Sequence, residues 1–387
     1  MNLEFQEYRA RKIVNVHRHV DSWFWNKYSA HPYVGCRSGC EFCYLRGGQY
    51  LGRRDPDTFD TLIQVKTNAA ELLRQELARL PPAVITCGDW QQPAEDRYGL
   101  SRAMLEIVRQ VRWPLFVVER SPLITRDIDL LTAIHQHSWA AVALSLSSLD
   151  ARLKQAFEPR SPGLRRRWQA LEALARAGLF VGTTLMPILP QLGDDAASLA
   201  EVVQATRDHG GSFVLAGGLT MAGVQAEHTF AAAGRLGPEA EAGMRQFYER
   251  GEGQPAAGPP RAYAARLGLL VRELCARFGL RDRLPRYVAA GPLAVNQRLA
   301  EQLFLKTYDL ELEQADETRI WAYRKAAWTV DEWESSLDDL FRSRGEKGLR
   351  SLPGIGSTIA SDLAGWLRAL ISESLPSSNL ERGRSAP

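Results

Sequence analysis

One short stretch of the sequence decides the fold: Cys36-Arg37-Ser38-Gly39-Cys40-Glu41-Phe42-Cys43-Tyr44. Its three cysteines are spaced C-x3-C-x2-C, and an aromatic residue directly follows the last one. Cysteine thiolates are the ligands of iron–sulfur clusters, and a tight loop can offer three of them to one cluster. Three ligands leave one iron of a four-iron cubane free to bind and activate a small molecule. The stretch therefore predicts a [4Fe–4S] cluster on Cys36, Cys40 and Cys43.

Two other uses of these cysteines fit the sequence less well. A zinc site usually takes four ligands from paired C-x2-C or Cys/His motifs. The sequence has no second pair, because Cys87 and Cys275 stand alone. Disulfides are dense in small secreted domains, whereas this chain has five cysteines in 387 residues.

The cysteine stretch resembles the signature of the radical S-adenosylmethionine (SAM) superfamily. The similarity continues, in family order, with the branch that contains spore photoproduct lyase and its "DNA repair photolyase" relatives. The stretches that carry it are residues 31–46, 65–69, 88–95, 121–129, 144–147, 158–162 and 187–190. The resemblance covers about residues 12 to 300. It implies a [4Fe–4S] cluster, SAM and a flavodoxin- or ferredoxin-type reductant, but it does not fix the substrate.

Short β-rich runs alternate with amphipathic helical patterns, which predicts parallel strands joined by crossover helices. The candidate strands are 28–34, 83–87, 115–119, 141–146, 180–185 and 212–216. Six such units predict an α/β fold with a partial (β/α)6 TIM-like barrel, as the resemblance also implies. Its chemistry is expected at the C-terminal ends of the strands. The predicted divisions are an N-terminal extension (1–27), the barrel (28–220), a helical or linker extension (221–296), a small all-α domain (297–371) and a disordered tail (372–387).

The resemblance also implies where SAM binds. Asp89, after the second barrel strand, is the natural partner for the methionine ammonium. Arg120 stands where the family usually has a lysine, and it can still clamp the methionine carboxylate. Ser145, after the fourth strand, can donate to the carboxylate or the ribose. For each residue a structural loop contact is the alternative.

Two residues are candidates for the hydrogen-transfer chemistry. Spore photoproduct lyase needs a hydrogen-donating cysteine near the second strand, and Cys87 lies about one residue out of register with it; a small buried core residue is the alternative. The lyase also has a tyrosine directly after its third cluster cysteine, and Tyr44 matches it. We expect Tyr44 to pack on the cluster, with radical relay as a second role. The basic stretch from Glu158-Pro159-Arg160 to Arg167 is either a phosphate or substrate contact or a solvated helix start.

A second motif, LPGIGSTIASDL, lies at residues 352–363. Two glycines allow a tight hairpin, and the free N–H groups of the next helix can bind a DNA phosphate. With residues 320–328, the motif resembles a helix–hairpin–helix domain of the kind found at the N-terminus of X-family DNA polymerases. The predicted DNA-binding residues are Gly354, Gly356, Ser357, Thr358, Lys347 and Arg350.

The C-terminal motif departs from that polymerase domain in one chemical respect. Asp362 stands where the polymerase domain has a lysine that forms an imine with abasic sugar, so no deoxyribose-phosphate lyase activity is expected. Residues 298–368 hold ten Lys or Arg against thirteen Asp or Glu. Any DNA binding is therefore expected to be weak and local, and a protein-interaction cap is the alternative.

Composition sets the remaining limits. The net charge of +3 is too small to argue for nucleic acid by itself. No apolar run is long enough to span a membrane, and residues 1–7 lack a signal-peptide pattern. We therefore expect a reduced, cytoplasmic protein with no membrane partner.

Together these features predict a radical SAM enzyme that cleaves SAM reductively to a 5′-deoxyadenosyl radical. The C-terminal motif points to a nucleic acid substrate, such as a DNA lesion repaired in the manner of spore photoproduct lyase. Two alternatives stay open: a radical SAM enzyme for a peptide or small molecule, and a non-catalytic DNA-bound iron–sulfur sensor.

Overall fold

Parallel strands joined by helices form the centre of the chain. The strands are β1 (Glu4–Tyr8), β2 (Val14–Val16), β3 (Tyr28–Ala30), β4 (Tyr33–Val34), β5 (Leu62–Lys66), β6 (Ile85–Gly88), β7 (Leu115–Glu119), β8 (Ala140–Ser145), β9 (Phe180–Ile188) and β10 (Phe213–Gly218). The computed structural model describes residues 3–47, 50–51, 54–221, 223–249 and 257–374. It divides into two units, Met1–Tyr287 and Val288–Pro387.

The main sheet has the strand order β10-β9-β8-β7-β6-β3-β2. Every neighbouring pair from β3 to β10 is parallel, and β2 joins antiparallel to β3. This mixed α/β fold, with a parallel sheet, agrees with the predicted partial barrel. A smaller sheet has the order β1-β5-β4.

One detail of the strand prediction was wrong. The run at 28–34 splits into β3 and β4, which belong to different sheets because β4 pairs antiparallel with β5. Residues 1–27 also contribute to both sheets: β1 pairs parallel with β5, and β2 pairs with β3.

Helices pack on the two sheets and on the loop at residues 36–43. They are α1 (Ala69–Leu77), α2 (Glu95–Tyr98), α3 (Leu100–Val111), α4 (Ile128–His137), α5 (Ala151–Phe157), α6 (Leu164–Arg176), α7 (Ala196–Asp208), α8 (Val224–Gly234), α9 (Pro238–Tyr248) and α10 (Arg261–Arg277). The main core joins strand residues such as Val117 and Val142 to helix residues such as Met104, Leu131 and Leu171, all of them buried. Burial of this apolar surface is the main force that holds the helices to the sheet.

The second unit is helical. It contains α11 (Ala294–Leu312), α12 (Glu317–Asp331), α13 (Leu337–Arg350) and α14 (Ser357–Ser374). The buried Asn296 side chain donates to the carbonyls of Trp333 and Ser335 and accepts the N–H of Leu337, so it fixes the start of α13. Helix α14 extends three residues into the predicted tail, and 375–387 lie outside the described residues.

The Gly- and Pro-rich segment predicted around 251–260 lies mostly outside the described residues too. In the part of the chain that is described, no helix is both long and apolar enough to cross a membrane.

Candidate metal centre

The cysteine loop, residues 36–43, follows β4. Its backbone turns tightly, because the Gly39 N–H donates to the Cys36 carbonyl at 3.1 Å and the Cys43 N–H donates to the Cys40 carbonyl at 3.2 Å. Gly39 has φ +57°, and a Cβ built there would lie 2.5 Å from Oδ2 of Asp60. Only glycine fits both this backbone conformation and this close approach.

Charged side chains brace the loop from the outside. The buried Arg46 donates to the carbonyls of Cys40 at 2.9 Å and Gly39 at 2.7 Å. Glu41 pairs with Arg235 at 2.8 Å, and Gln225 on α8 donates to the Phe42 carbonyl at 2.7 Å. The loop is therefore held in one shape by contacts from several elements.

All five cysteines are free, and the three loop thiols lie within electrostatic reach of one another. Burial raises the pKa of each thiol, to about 11 for Cys40. Cys40 and Cys43 further raise the pKa of Cys36. Metal ligation needs thiolates. A positively charged iron centre would offset the burial of Cys36 and Cys40 and the repulsion among the three thiolates.

Among the described residues, these thiols do not form a site for a single metal ion. No three His, Cys, Asp or Glu side chains among the described residues converge closely enough to hold one metal ion. A four-iron cluster does not require such convergence, because each cysteine binds a different iron.

Asp89 lies at the centre of the site, directly after β6. Its backbone has φ 56°, and its charge raises the pKa of Cys36, Cys40, Cys43 and Tyr44. Burial raises the pKa of Asp89 itself, and Arg120 opposes that shift. A half-buried carboxylate of this kind is suited to bind a cationic ligand group.

Glu119, at the end of β7, holds the Asp89 turn and was not predicted from sequence. Its buried carboxylate accepts the N–H groups of Trp90 at 2.6 Å and Gln91 at 3.0 Å. Burial and the charge of Asp89 raise its pKa to about 8. The signal in the sequence is an acid at the end of an apolar strand, next to Arg120.

Arg120 reaches the site but is already paired. Its guanidinium forms an ion pair with Glu158, and Glu158 also pairs with Arg167 at 2.6 Å. Arg160 pairs with Asp60. Arg160 and Arg167 are thus already paired with carboxylates, and a phosphate or substrate contact for the stretch from Glu158 to Arg167 stays a prediction.

Ser145 and Tyr44 occupy different surroundings. The Ser145 hydroxyl lies 2.8 Å from that of Thr184, its register partner on β9, and is buried. Tyr44 begins a short 3-10 helix and is 58% exposed, with its ring edge-on to Tyr50 at 5.3 Å between centroids.

The Cys87 side chain lies in the core between the main sheet and the helices. It pairs in register with Val117 on β7 and belongs with Val117, Met104 and Val108 to the core between sheet and helices. It is fully buried there. Neighbouring strand residues point to opposite faces, so Cys87 lies on the helix-covered face of the sheet, and its hydrogen-donor role stays a prediction.

The predicted DNA-binding residues lie at the junction of α13 and α14. Residues 351–356 join the two helices, with Gly354 at φ +73°. All of the predicted residues are exposed there: Gly354, Gly356, Ser357, Thr358, Lys347 and Arg350. Asp362 on α14 accepts a hydrogen bond from the Tyr323 hydroxyl at 2.6 Å.

Comparison with known proteins gives the family. Residues 31–203 match the model described as the radical SAM superfamily. An uncharacterised protein of Mycobacterium tuberculosis is 30% identical over 231 residues, which cover 58% of this chain and 68% of that protein. The chain belongs to the radical SAM superfamily. A second uncharacterised protein, from Methanocaldococcus jannaschii, is 26% identical over 193 residues, or 50% of this chain and 70% of that protein.

Solved structures share the radical SAM fold of this chain. A spore photoproduct lyase mutant has a TM-score of 0.54 at 15% identity, covering 72% of this chain and 81% of that one. A lyase mutant with bound AdoMet and dinucleoside spore photoproduct has a TM-score of 0.50 at 16% identity, with the same coverage. At these identities the likeness shows the fold alone. Membership of the radical SAM superfamily implies a [4Fe–4S] cluster and SAM.

Proposed function

We propose that the chain is a radical SAM enzyme that acts on a nucleic acid, with repair of a DNA lesion as the reaction of choice. The observation that carries the enzymatic part is the placement of Asp89, a half-buried carboxylate within electrostatic reach of three free thiols on one braced loop. Cys36, Cys40 and Cys43 would hold the cluster.

Bound together, the cluster and SAM supply a 5′-deoxyadenosyl radical that abstracts a hydrogen atom from the substrate. The residues of this chain orient and protect the reactants. Asp89 would bind the methionine ammonium, and Arg120 would offer its remaining N–H groups to the carboxylate. Ser145, on the barrel-facing side of β8, would hydrogen-bond the carboxylate or the ribose.

Two observations favour a nucleic acid substrate. The fold resembles that of spore photoproduct lyase, and one lyase structure contains a dinucleoside photoproduct. The turn between α13 and α14 exposes two glycines and the start of an 18-residue helix, beside the exposed Lys347 and Arg350. Such a helix–hairpin–helix would grip the DNA backbone without reading its sequence. A lesion in a duplex must be extruded before it can enter a barrel.

The test is anaerobic SAM cleavage with different substrates. The cluster is reconstituted, dithionite and SAM are added, and 5′-deoxyadenosine is quantified with no DNA, with intact DNA and with ultraviolet-irradiated DNA. We expect formation in every case and a marked rise with irradiated DNA.

Other outcomes separate the alternatives. Formation that no nucleic acid changes would move the substrate to a peptide or small molecule. An intact cluster that yields no 5′-deoxyadenosine would contradict the enzymatic proposal and favour the iron–sulfur sensor. A flavodoxin- or ferredoxin-type protein is the expected electron donor in the cell, and dithionite replaces it here.

A further inference from the structure

Three charged side chains are buried together behind the cysteine loop. Glu158 is 4% exposed, Arg120 9% and Arg167 0%. Glu158 pairs with Arg167 at 2.6 Å through one oxygen and with Arg120 through the other. We call these residues the buried triad. Two guanidiniums and one carboxylate give it a formal charge of +1.

The buried triad is fixed rather than mobile. Arg167 also donates to the carbonyls of Ser145 at 3.0 Å and Pro162 at 2.9 Å. Burial opposes ionisation of Glu158, but the two guanidiniums outweigh it and lower the pKa of Glu158 to about 2. The three charges therefore persist across the whole physiological pH range.

The triad lies against the loop at Cys40. The Arg120 guanidinium lies 5.6 Å from the ring centroid of Phe42, between the second and third cysteines. Phe42 also stacks on Phe157, which immediately precedes Glu158, and the Glu41 N–H donates to the Phe157 carbonyl at 2.9 Å. Every member of the triad acts electrostatically on the Cys40 thiol, where burial is the largest influence on the pKa.

Stability alone is a poor explanation for such an arrangement. Desolvation of buried charges offsets most of their attraction, so apolar side chains of similar volume would stabilise the fold as well or better. What the triad adds is a permanent positive charge in a region of low dielectric, beside one cluster ligand.

We propose that the buried triad sets the reduction potential of the cluster held by Cys36, Cys40 and Cys43. This inference rests on the proposed function, because it requires that cluster. Reduction transfers one electron from an external donor, such as dithionite, to the cluster and makes it more negative. A net positive charge fixed nearby stabilises the reduced form and raises the potential.

The experiment is a redox titration of the reconstituted full-length protein, followed by electron paramagnetic resonance without SAM or substrate. Glu158→Gln changes the triad charge from +1 to +2 and should raise the midpoint potential. Arg167→Gln changes it to zero and should lower the potential. Arg120→Gln removes the charge of the other guanidinium, so it should lower the midpoint potential as Arg167→Gln does.

Controls separate charge from packing. Arg167→Lys keeps the charge and should restore most of the wild-type potential. Glu95→Gln makes the same substitution in another buried carboxylate, which pairs with Arg126, and should leave the potential near the wild-type value. Only variants with wild-type iron content are compared. If an arginine-to-glutamine variant fails to fold, Glu158→Gln and the other arginine variant carry the test. If Glu158→Gln fails to fold, a lower potential in both Arg120→Gln and Arg167→Gln, with a near-wild-type value in Arg167→Lys, supports the inference, and unchanged potentials overturn it.

A merely structural role cannot produce shifts of opposite sign. Intact clusters whose potentials stay unchanged, or move in the same direction for Glu158→Gln and Arg167→Gln, would overturn the inference alone. A wild-type chain that assembles no cluster would overturn the proposed function, and this inference with it.

Discussion

The charge of Asp89 raises the pKa of all three cysteines of the candidate site. Replacing it with asparagine removes the counter-charge for the methionine ammonium. Hydrogen bonds to charged groups contribute roughly 1.5–3 kcal/mol, so we expect the Kd for SAM to rise about 10- to 100-fold. Equilibrium binding to the reconstituted protein measures this, with Asp129→Asn, an exposed carboxylate paired with Arg102, as control. An unchanged Kd would remove Asp89 from the SAM site.

Glu119 gives a pH dependence that can be measured without the cluster. Its pKa rises from the usual 4.5 to about 8 in the folded protein, so the folded state retains a proton that the unfolded chain loses. The stabilisation is therefore complete below about pH 4.5 and disappears as the pH rises to about 8. Glu119→Gln should flatten the pH dependence of the unfolding free energy of the apoprotein across this window. Urea titrations at several pH values give the unfolding free energy at each pH. If Glu119 is not the group responsible, the variant and the wild type will show the same change of this free energy with pH.

At the residue scale, sequence predicts what a local motif carries. The three cysteines and Asp89 come from short motifs, and in the structure they lie within electrostatic reach of one another. Glu119 and Glu158 act on groups far along the chain, such as the N–H of Trp90, 29 residues away, and no local pattern reveals such partners. The role of Cys87 is hard to predict from sequence, because a displacement of one residue in a strand turns the side chain to the other face.

The cysteine loop is the element whose shape the cluster needs. Gly39 and Gly99 both have φ +57°, but only Gly39 is crowded, by Asp60. Left-handed backbone costs a non-glycine residue about 1–2 kcal/mol, so Gly99→Ala should lose roughly that much stability. Gly39→Ala should lose more and also retain less iron after reconstitution. Thermal unfolding and iron analysis test this, and equal losses in both variants would show that the Asp60 contact is unimportant.

At the element scale, β7 matches its predicted bounds, because a short apolar run is a local signal. The division of residues 28–34 between two sheets could not be predicted in the same way. It depends on the pairing of β4 with β5, some thirty residues later in the sequence.

At the scale of the whole molecule, we propose that the second unit binds DNA. Lys347→Glu with Arg350→Glu should weaken DNA binding and flatten its salt dependence, since each lost phosphate contact reduces the slope by about one. Arg152→Glu with Arg176→Glu, at exposed positions of the first unit, is the charge-matched control. Fluorescence anisotropy over a salt series measures both. Equal effects of the two pairs would indicate a general charge effect and contradict a site at the α13–α14 turn.

The proposed radical SAM chemistry depends on the three cysteines of the loop. Cys36→Ala, Cys40→Ala and Cys43→Ala are each reconstituted anaerobically beside Cys87→Ala and Cys275→Ala, and 5′-deoxyadenosine formed from SAM is quantified per protein. We predict complete loss of 5′-deoxyadenosine formation in the three loop variants and retained formation in the other two, as the proposed role of the loop requires. Persistent formation in any loop variant, or loss that is equal in all five, would contradict it.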